Sequence, residues 1–241
     1  MNRRKFIYNS SLASLSVMGL NSCNLKNENV KITILHTNDV HSQIEPFPFN
    51  HDKYPDRGGF ARRANIFTGL MKINPNTLIF DAGDIFQGTP YFNFFQGDLE
   101  LKLMKEMGYN AATIGNHEFD AGLKKLKENI VNNNFPFVSS NYDFTNTELE
   151  GLISNYKIFK KQGIKIGVFG LGIELNGLVS SSLFKETKYY DPVEITQEMT
   201  SKLKNKQKCD LIICVSHLGH SYKTDKISDL KLGRLTSDID L

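Results

Sequence analysis

The chain has 241 residues, of which 40% are hydrophobic and 23% charged, and its formal net charge is +3. This length allows one substantial domain with a buried core, and the composition is ordinary for a globular protein. There are no internal repeats, low-complexity tracts or signs of a second domain, which excludes repeat arrays. A basic patch alternates lysines with polar residues, as at a solvated helix end, so we expect no nucleic-acid polymer as a partner. Its members are Lys202, Lys204, Lys206 and Lys208.

Residues 1–23 predict an export signal. A basic start, Arg3, Arg4 and Lys5, leads into a weakly apolar stretch that ends at Leu20. This stretch is too short and too rich in serine and asparagine to form a stable membrane span. The Arg-Arg-x-Phe arrangement is typical of twin-arginine signals, and export by either the Tat or the Sec route stays open.

The signal ends in Leu20-Asn21-Ser22-Cys23, which resembles a bacterial lipobox. In that interpretation Cys23 carries the lipid after cleavage and anchors the protein to a membrane, and residues 24–29 form a polar tether. We therefore expect an exported bacterial protein, either periplasmic or a membrane-anchored lipoprotein. The alternative is an ordinary signal peptide in which Cys23 has no special role.

From residue 30 to residue 241, strand-like and helix-like segments alternate, which predicts one α/β domain with layered sheets and helices. We expect strands at residues 30–35, 77–80, 111–114, 135–141, 156–159, 165–169 and 211–215. We expect helices at residues 60–71, 99–107, 122–132, 192–206 and 225–235. The strands on either side of Gln162-Gly163 predict a hairpin.

Cys209 and Cys214 lie at the two sides of an extended run. At strand rise they are separated by about 16 Å, too far for a disulfide between them. They are not at metal-ligand spacing, so we interpret both as small buried residues.

Polar side chains follow four of the predicted strands. Each alone has an ordinary explanation, such as a turn residue, a helix cap or a hydrogen-bonded core histidine. Their recurrence favours a shared site, because ligands in α/β sheets bind beyond the carboxyl ends of the strands. The side chains are Asp39 with His41, Asp84, Asn116 with His117, and His217.

The stretch from Gly115 to Asp120 carries the richest of these clusters. His117 and Asp120 are three residues apart, so they share a face if a helix begins here. An acid that binds one imidazole nitrogen leaves the other free for chemistry. The ordinary alternative is that Asn116 is a turn residue and Asp120 a helix cap.

Four motifs in this order resemble the calcineurin-like metallophosphoesterases, specifically the branch of 5′-nucleotidases and UDP-sugar hydrolases. They are Asp39-x-His41, Gly83-Asp84-x-x-Gln87-Gly88-Thr89, Gly115-Asn116-His117-Glu118-Phe119-Asp120 and Ser216-His217-Leu218-Gly219. The resemblance runs from about Ile32 to Leu241. It implies a β-sandwich flanked by helices, in four layers of the order α/β/β/α.

The resemblance also implies two divalent metal ions, and mixed nitrogen and oxygen ligands suit Zn, Mn, Fe or Co. Asp39 and His41 would bind the first ion, and Asn116 and His217 the second. Asp84 would bridge both.

His117, held by Asp120, would stay off the metals and face the phosphoryl group. A hydroxide between the ions would attack a phosphate ester, most directly a 5′-nucleotide. Arg62 and Arg63 are candidates for attracting anionic substrates, although exposed helix arginines are common.

The family pattern also includes a Gly-His-x-His segment at the end of a further strand, which supplies one ligand to each metal. None of the six histidines of this chain lies in such a segment. A C-terminal domain that stacks the base in longer relatives is also absent from the sequence. We therefore expect a fragment that is incomplete at its C-terminal end, with a base-binding domain on a separate segment or chain.

Two alternatives stay open. The same site could act on cyclic nucleotides, sugar nucleotides or another ester. A different class of protein, a degenerate surface lipoprotein without activity, would account for the missing histidine motif.

Overall fold

The computed structural model describes residues 29–241, within which Ile32–Leu241 form one compact unit. The predicted export signal, Cys23 and most of the tether lie outside the described residues. Among residues 29–241, no helix has both the length and the apolar character that a membrane span requires.

The described residues form eight strands and seven α-helices. The strands are β1 (Thr33–Thr37), β2 (Thr77–Asp81), β3 (Ala111–Ala112), β4 (Tyr142–Asp143), β5 (Tyr156–Lys161), β6 (Ile164–Leu171), β7 (Lys188–Tyr189) and β8 (Leu211–Ser216). The helices are α1 (Phe60–Ile73), α2 (Pro90–Phe95), α3 (Asp98–Glu106), α4 (Gly122–Asn133), α5 (Ser181–Phe184), α6 (Pro192–Ser201) and α7 (Asp229–Leu235). A 3₁₀ turn at His117–Phe119 and a π-helical turn at Lys202–Lys206 complete the regular structure of this part of the chain.

Two three-stranded sheets form the centre of the fold. The first has the order β1-β2-β3 with all strands parallel, and the second has the order β5-β6-β8, in which β8 runs parallel to β6 and β5 antiparallel. β4 and β7 form a separate antiparallel ribbon. Parallel neighbours place the carboxyl ends of their strands at one edge of the sheet, where the polar motifs follow.

Alternation of side chains along the strands explains the layering. Leu78 and Phe80 of β2 pack against the second sheet, where they meet Ile166, Val168 and Val215. The intervening Ile79 faces the opposite way and packs in the cluster formed with α1, α3 and α4. Leu171 and other residues of the second sheet pack against α6 and α7. The predicted four-layer α/β/β/α sandwich is therefore confirmed.

The predicted hairpin is also confirmed. Gln162 and Gly163 connect β5 to β6, and both have positive φ angles, 47° and 86°. Two successive left-handed residues make the turn type whose twist matches that of antiparallel strands.

Several predicted boundaries were wrong. The last helix starts at Asp229 instead of residue 225, because the Ser228 side chain caps it by accepting a hydrogen bond from the Lys231 amide. The helix predicted to Lys206 is α-helical only to Ser201. Residues 135–141 are not a regular strand, since they make only isolated bridges at Phe137 and Val138.

Strands β4 and β7 and the short helix α5 were not predicted, and one further helix, one strand and the two cysteines also differ from the expectation. Helix α2 was not predicted, because its aromatic-rich sequence lacks a helical apolar stripe, although Pro90 suits the first turn. β1 lies at residues 33–37 instead of 30–35. Cys209 and Cys214 are free thiols, as expected, but both are only partly buried.

Candidate metal centre

The candidate centre lies where the loops after β1, β2, β3 and β8 meet. Backbone hydrogen bonds join the first two loops, from the Asp39 amide to the Gly83 carbonyl at 3.0 Å and from the His41 amide to the Asp84 carbonyl at 3.1 Å. Gly83 has a φ of 92°, and a Cβ there would lie 2.6 Å from the Gly115 amide nitrogen. The site therefore needs glycine at this position, where two loops approach each other closely.

Three of the site residues adopt left-handed backbone conformations. The φ angles are 50° at Asp39, 45° at His41 and 54° at Asp84. Such angles are uncommon outside glycine and are less unfavourable for Asp and His than for branched residues. The bonds between the two loops hold this strained backbone, which turns the three side chains towards one another.

The carboxylate of Asp84 is the centre of the cluster. Its Oδ2 lies 3.3 Å from Nε2 of His217, 3.9 Å from Nε2 of His41 and 4.0 Å from Nε2 of His117. Its Oδ1 accepts a hydrogen bond of 2.9 Å from the His117 amide. Asp84 is nearly buried, so its orientation is fixed by these neighbours.

The histidines and carboxylates of the cluster stabilise one another's charged forms. The His41 imidazole, whose Nε2 lies 3.7 Å from Oδ1 of Asp39, lowers the pKa of Asp39 to about 2. Burial alone would lower the pKa of His217, but the hydrogen bond and charge of Asp84 outweigh it and raise the pKa to about 9. In the same way, the nearby carboxylate of Asp39 raises the pKa of His41. Since a metal ion needs the neutral imidazole, binding of a dication here would release protons.

His117 and Asp120 form a separate pair at the edge of the cluster. Nδ1 of His117 lies 2.7 Å from Oδ2 of Asp120. This leaves Nε2 of His117 facing Asp84, while its ring meets the His41 ring edge-on at 5.2 Å. The geometry predicted from the three-residue spacing is present, on a 3₁₀ turn instead of an α-helix.

The ligand-bearing side chains form two groups that share Asp84. One contains His41, Asp84 and His117, and the other contains Asp39, Asp84 and His217, and in each group the ligand atoms lie within 4.8 Å of one another. Asn116 lines the same cavity as Asp39, Asp84 and His217. Imidazole nitrogens and carboxylate oxygens at this spacing fit first-row divalent metal ions.

The cavity beside the cluster has a volume of about 990 Å³. Its polar end contains Asp39, Asp84, Asn116 and His217, whereas His41 and His117 do not line it. Its apolar walls come from both sheets, including Phe80 and Val215. Neither Arg62 nor Arg63 lines it. Arg62 pairs with Asp56, and Arg63 lies over the Phe60 ring, so both are engaged elsewhere.

Glu118 is a site residue to which the sequence analysis assigned no role. It is fully buried, and its carboxylate accepts hydrogen bonds from four backbone amides. These belong to Asp84, Ile85, Phe86 and Gly115. Glu118 therefore ties the loop that carries Asp84 to the loop that carries Asn116 and His117. Its presence within the motif was the only signal available in the sequence.

Two further buried acids support the same loops. Asp81 is fully buried, accepts from the Thr37 hydroxyl and the Gly83 amide, and burial raises its pKa to about 7. Glu100 accepts a hydrogen bond from the hydroxyl of Ser42, the residue after His41. Neither acid was given a role by the sequence motifs, and the sequence does not show whether a carboxylate is buried or exposed.

Known proteins with similar sequences are phosphoesterases, which agrees with a site that could hold metal ions. Residues 32–240 match the family model described as calcineurin-like phosphoesterase. The chain is 33% identical over 218 residues to a snake venom 5′-nucleotidase of Gloydius brevicauda, covering 88% of this chain and 36% of that protein. It is 36% identical over 194 residues to a 5′-nucleotidase of Vibrio cholerae, covering 79% of this chain and 34% of that protein.

A solved structure is similar as well. The NAD nucleotidase of Haemophilus influenzae superposes with a TM-score of 0.71 at 32% identity, covering 88% of this chain and 37% of that one. The chain thus spans little more than a third of the length of these proteins.

Proposed function

This chain belongs to the calcineurin-like phosphoesterase family, and on that premise we propose that it hydrolyses phosphate esters, most directly 5′-nucleotides, with the help of two divalent metal ions. The observation that carries this proposal is the position of Asp84, whose carboxylate is common to two groups of potential ligands. A carboxylate shared in this way suits a pair of ions better than a single one.

Five residues would hold the ions. We assign Asp39 and His41, which approach within 3.7 Å, to one ion, Asn116 and His217 to the other, and Asp84 to both. The two groups of ligand atoms pair these side chains differently, because Asp39 lies with His217 in one group and His117 completes the other. The donor set supports Zn, Mn, Fe or Co, because imidazole combined with carboxylate and amide oxygens is a borderline ligand mixture. When bound, two such ions supply an activated water nucleophile and neutralise charge on the phosphoryl group.

The chain's own groups perform the remaining tasks. The Asp120 carboxylate fixes the ring orientation of His117 by binding Nδ1, so Nε2 is the nitrogen available to the substrate. From there His117 can donate a hydrogen bond to a phosphoryl oxygen or a proton to the leaving oxygen. Glu118 holds the two loops at fixed separation, which keeps His117 at a constant distance from Asp84.

The preference for nucleotides rests on the relatives, which are named as nucleotidases acting on 5′-nucleotides or NAD. Cyclic nucleotides and sugar nucleotides are the alternatives that a substrate panel distinguishes. Because those relatives are much longer, we further propose that a base-binding domain or chain completes substrate recognition.

Residues 1–23 support a proposed location. We infer export to the periplasmic side and attachment to the membrane through a lipid on Cys23. In a membrane fraction washed with high salt, which removes proteins held by surface charge alone, replacement of Cys23 by Ser would release the protein if the lipid is the anchor.

The function is tested by measuring bound metal and phosphate release together. The protein is purified with Mn²⁺ or Zn²⁺, the metal content is determined by mass spectrometry, and phosphate release is followed for nucleoside monophosphates, cyclic nucleotides and sugar nucleotides. Because the family pattern takes one further ligand for each ion from a Gly-His-x-His segment, we expect two ions per chain and release from the monophosphates when the protein measured includes that segment. The double variant Asn116→Ala, His117→Ala should lose the activity, whereas His51→Ala, on an exposed loop, should keep it.

Two results would overturn the proposal. One is a double variant as active as the parent, which places the chemistry elsewhere. The other is a normally folded chain that retains fewer than two ions and releases no phosphate, which supports the degenerate, non-catalytic lipoprotein.

A further inference from the structure

Eight lysines gather on one side of the described domain, in two short segments. Residues 157–165 and 202–208 contain four lysines each and no aspartate or glutamate. They are Lys157, Lys160, Lys161, Lys165, Lys202, Lys204, Lys206 and Lys208. In the whole chain Lys and Arg exceed Asp and Glu only by 29 to 26, so this side carries a strong local excess of positive charge. We call these eight residues the basic pole.

Direct contacts make the two segments one surface. The Lys165 ammonium donates a hydrogen bond to the Gln207 carbonyl, and the Gln207 amide donates to the Tyr156 hydroxyl at 3.1 Å. Lys202 lies over the Tyr156 ring, 5.0 Å from its centroid. The hairpin of β5 and β6 and the end of the helical segment therefore form one surface. Its exposed lysines are Lys160, Lys204, Lys206 and Lys208, and the other four are partly buried.

Few carboxylates offset this charge. Lys204 forms an ion pair with Asp238, and Asp210 accepts a hydrogen bond from the Lys165 amide. Lys160 and Lys165 lie directly opposite each other on β5 and β6. Like charges at opposed positions of a sheet are unfavourable, and an external anion would relieve the repulsion.

The hairpin end of the basic pole, at Lys160, Lys161 and Lys165, lies at the opposite end of the strands from the candidate metal centre. Lys157 opposes Val168 midway along β6, and Lys202 lies beside Tyr156. The Lys161 ammonium lies 3.3 Å from the carbonyl of Pro75, just before β2, and the Thr33 amide at the start of β1 donates to Asn76. Lys208 likewise precedes the start of β8. Since the metal ligands follow the carboxyl ends of these strands, a surface that contacts the basic pole leaves the centre exposed.

We propose that the basic pole docks onto a membrane surface rich in anionic phospholipid headgroups. Exposed lysines are attracted to such a surface without a specific binding geometry. The position of the basic pole also agrees with a lipid anchor at Cys23. Thr33 starts β1 at the end of the strands near Lys161, and the ten residues from Cys23 to Thr33 span at most about 35 Å.

A membrane explains the basic pole better than a nucleic acid. Binding of single strands uses aromatic side chains on which bases stack. Of the two aromatic side chains of β5, Tyr156 is covered by Lys202 and Phe159 packs between the sheets. The charge is carried by lysines alone, whereas arginine is the preferred residue for bidentate recognition of phosphates.

The test is sedimentation of the full chain with lipid vesicles. All proteins carry Cys23→Ser, so that no acyl chain contributes, and the vesicles contain either phosphatidylglycerol with phosphatidylcholine or phosphatidylcholine alone. The test variant is Lys160→Gln, Lys204→Gln, Lys206→Gln, Lys208→Gln. The matched control is Lys102→Gln, Lys124→Gln, Lys127→Gln, Lys223→Gln, which removes the same charge from exposed sites outside the basic pole. Thermal melting confirms that each protein is folded.

We expect the parent and the control to bind the anionic vesicles, and the test variant to partition at least about tenfold less. Raising NaCl to about 0.5 M, where the Debye length is about 4 Å, should abolish the difference. A second variant with Arg at the four test positions keeps the charge and should bind like the parent.

Equal binding of the test and control variants to anionic vesicles would overturn the proposal. So would tighter binding of the parent to single-stranded DNA than to the vesicles at equal phosphate concentration. Neither readout involves metal loading or hydrolysis, so the result is independent of the proposed function.

Discussion

Replacing Glu118 by Gln tests how the two central loops of the metal centre are held together. The carboxylate accepts from four backbone amides, two on each oxygen. In glutamine one of these two oxygens is replaced by an NH2 group, which cannot accept a hydrogen bond. That NH2 group would face two of the four backbone N–H donors. Two hydrogen bonds to a charged acceptor would be lost, each with a net value of about 1.5–3 kcal/mol.

The neutral amide offsets part of that loss, because burial of the carboxylate is itself unfavourable and raises the pKa of Glu118. We therefore expect the free energy of unfolding to fall by about 3 kcal/mol. We also expect weaker binding of metal, because the loops that carry Asp84 and Asn116 are no longer joined. Urea unfolding measures the first effect, and competition with a chelator measures the second.

The control for this variant is Glu106→Gln, at an exposed position on α3, which should leave both quantities unchanged. The reasoning is refuted if Glu118→Gln unfolds within about 1 kcal/mol of the parent and binds metal with the same affinity. In that case the four short distances would not represent stabilising hydrogen bonds.

Three further predictions concern other parts of the centre. Burial raises the pKa of Asp81 from 3.8 to about 7 in the folded state, so between these pH values the folded chain holds a proton that the unfolded chain has lost. The free energy of unfolding should therefore decline as pH rises through this window, by at most about 1.4 kcal/mol per pH unit. Urea unfolding at several pH values should show this decline for the parent and lack it for Asp81→Asn. Asp120→Asn removes the charge that orients His117, so kcat should fall roughly 10²-fold while the metal content, measured by mass spectrometry, stays unchanged; loss of metal would contradict this role. In Gly115→Ala, the new Cβ would lie 2.6 Å from the Asp84 amide nitrogen and clash with the Asp84 carboxylate. Metal affinity, measured by calorimetry, should therefore drop at least about tenfold, and the free energy of unfolding should fall by about 1–3 kcal/mol. Unchanged affinity would show that Asp84 can move freely.

Local sequence patterns were sufficient for most of the elements. The continuous apolar run of β8 predicted a strand covered on both faces, and Gln162-Gly163 predicted the hairpin, because both features depend on near neighbours. Boundaries failed where a single contact decides them. Ser228 starts α7 four residues later than its sequence suggests, since its side chain accepts from the Lys231 amide.

The same distinction applies to the candidate centre. The order and spacing of the motifs indicated Asp39, His41, Asp84, Asn116, His117, Asp120 and His217. The sequence could not indicate that Asp84 lies within 4.0 Å of ring nitrogens from His41, His117 and His217, because that depends on left-handed backbone at three loop residues. It also could not distinguish Glu118, Asp81 and Glu100 from exposed acids, since burial is a property of the packed layers.

The sequence by itself determined the alternation of strands and helices, the ligand-bearing residue types and the excess of lysine in two segments. Periodicity, motif spacing and charge are local properties, so they can be read without a fold. Only the tertiary structure decided that the candidate ligands converge on Asp84, that Glu118 joins two loops through four amides, and that the hairpin lysines lie at the opposite end of the strands. These relations join residues far apart in the chain, and the packing of two sheets between helices brings them together.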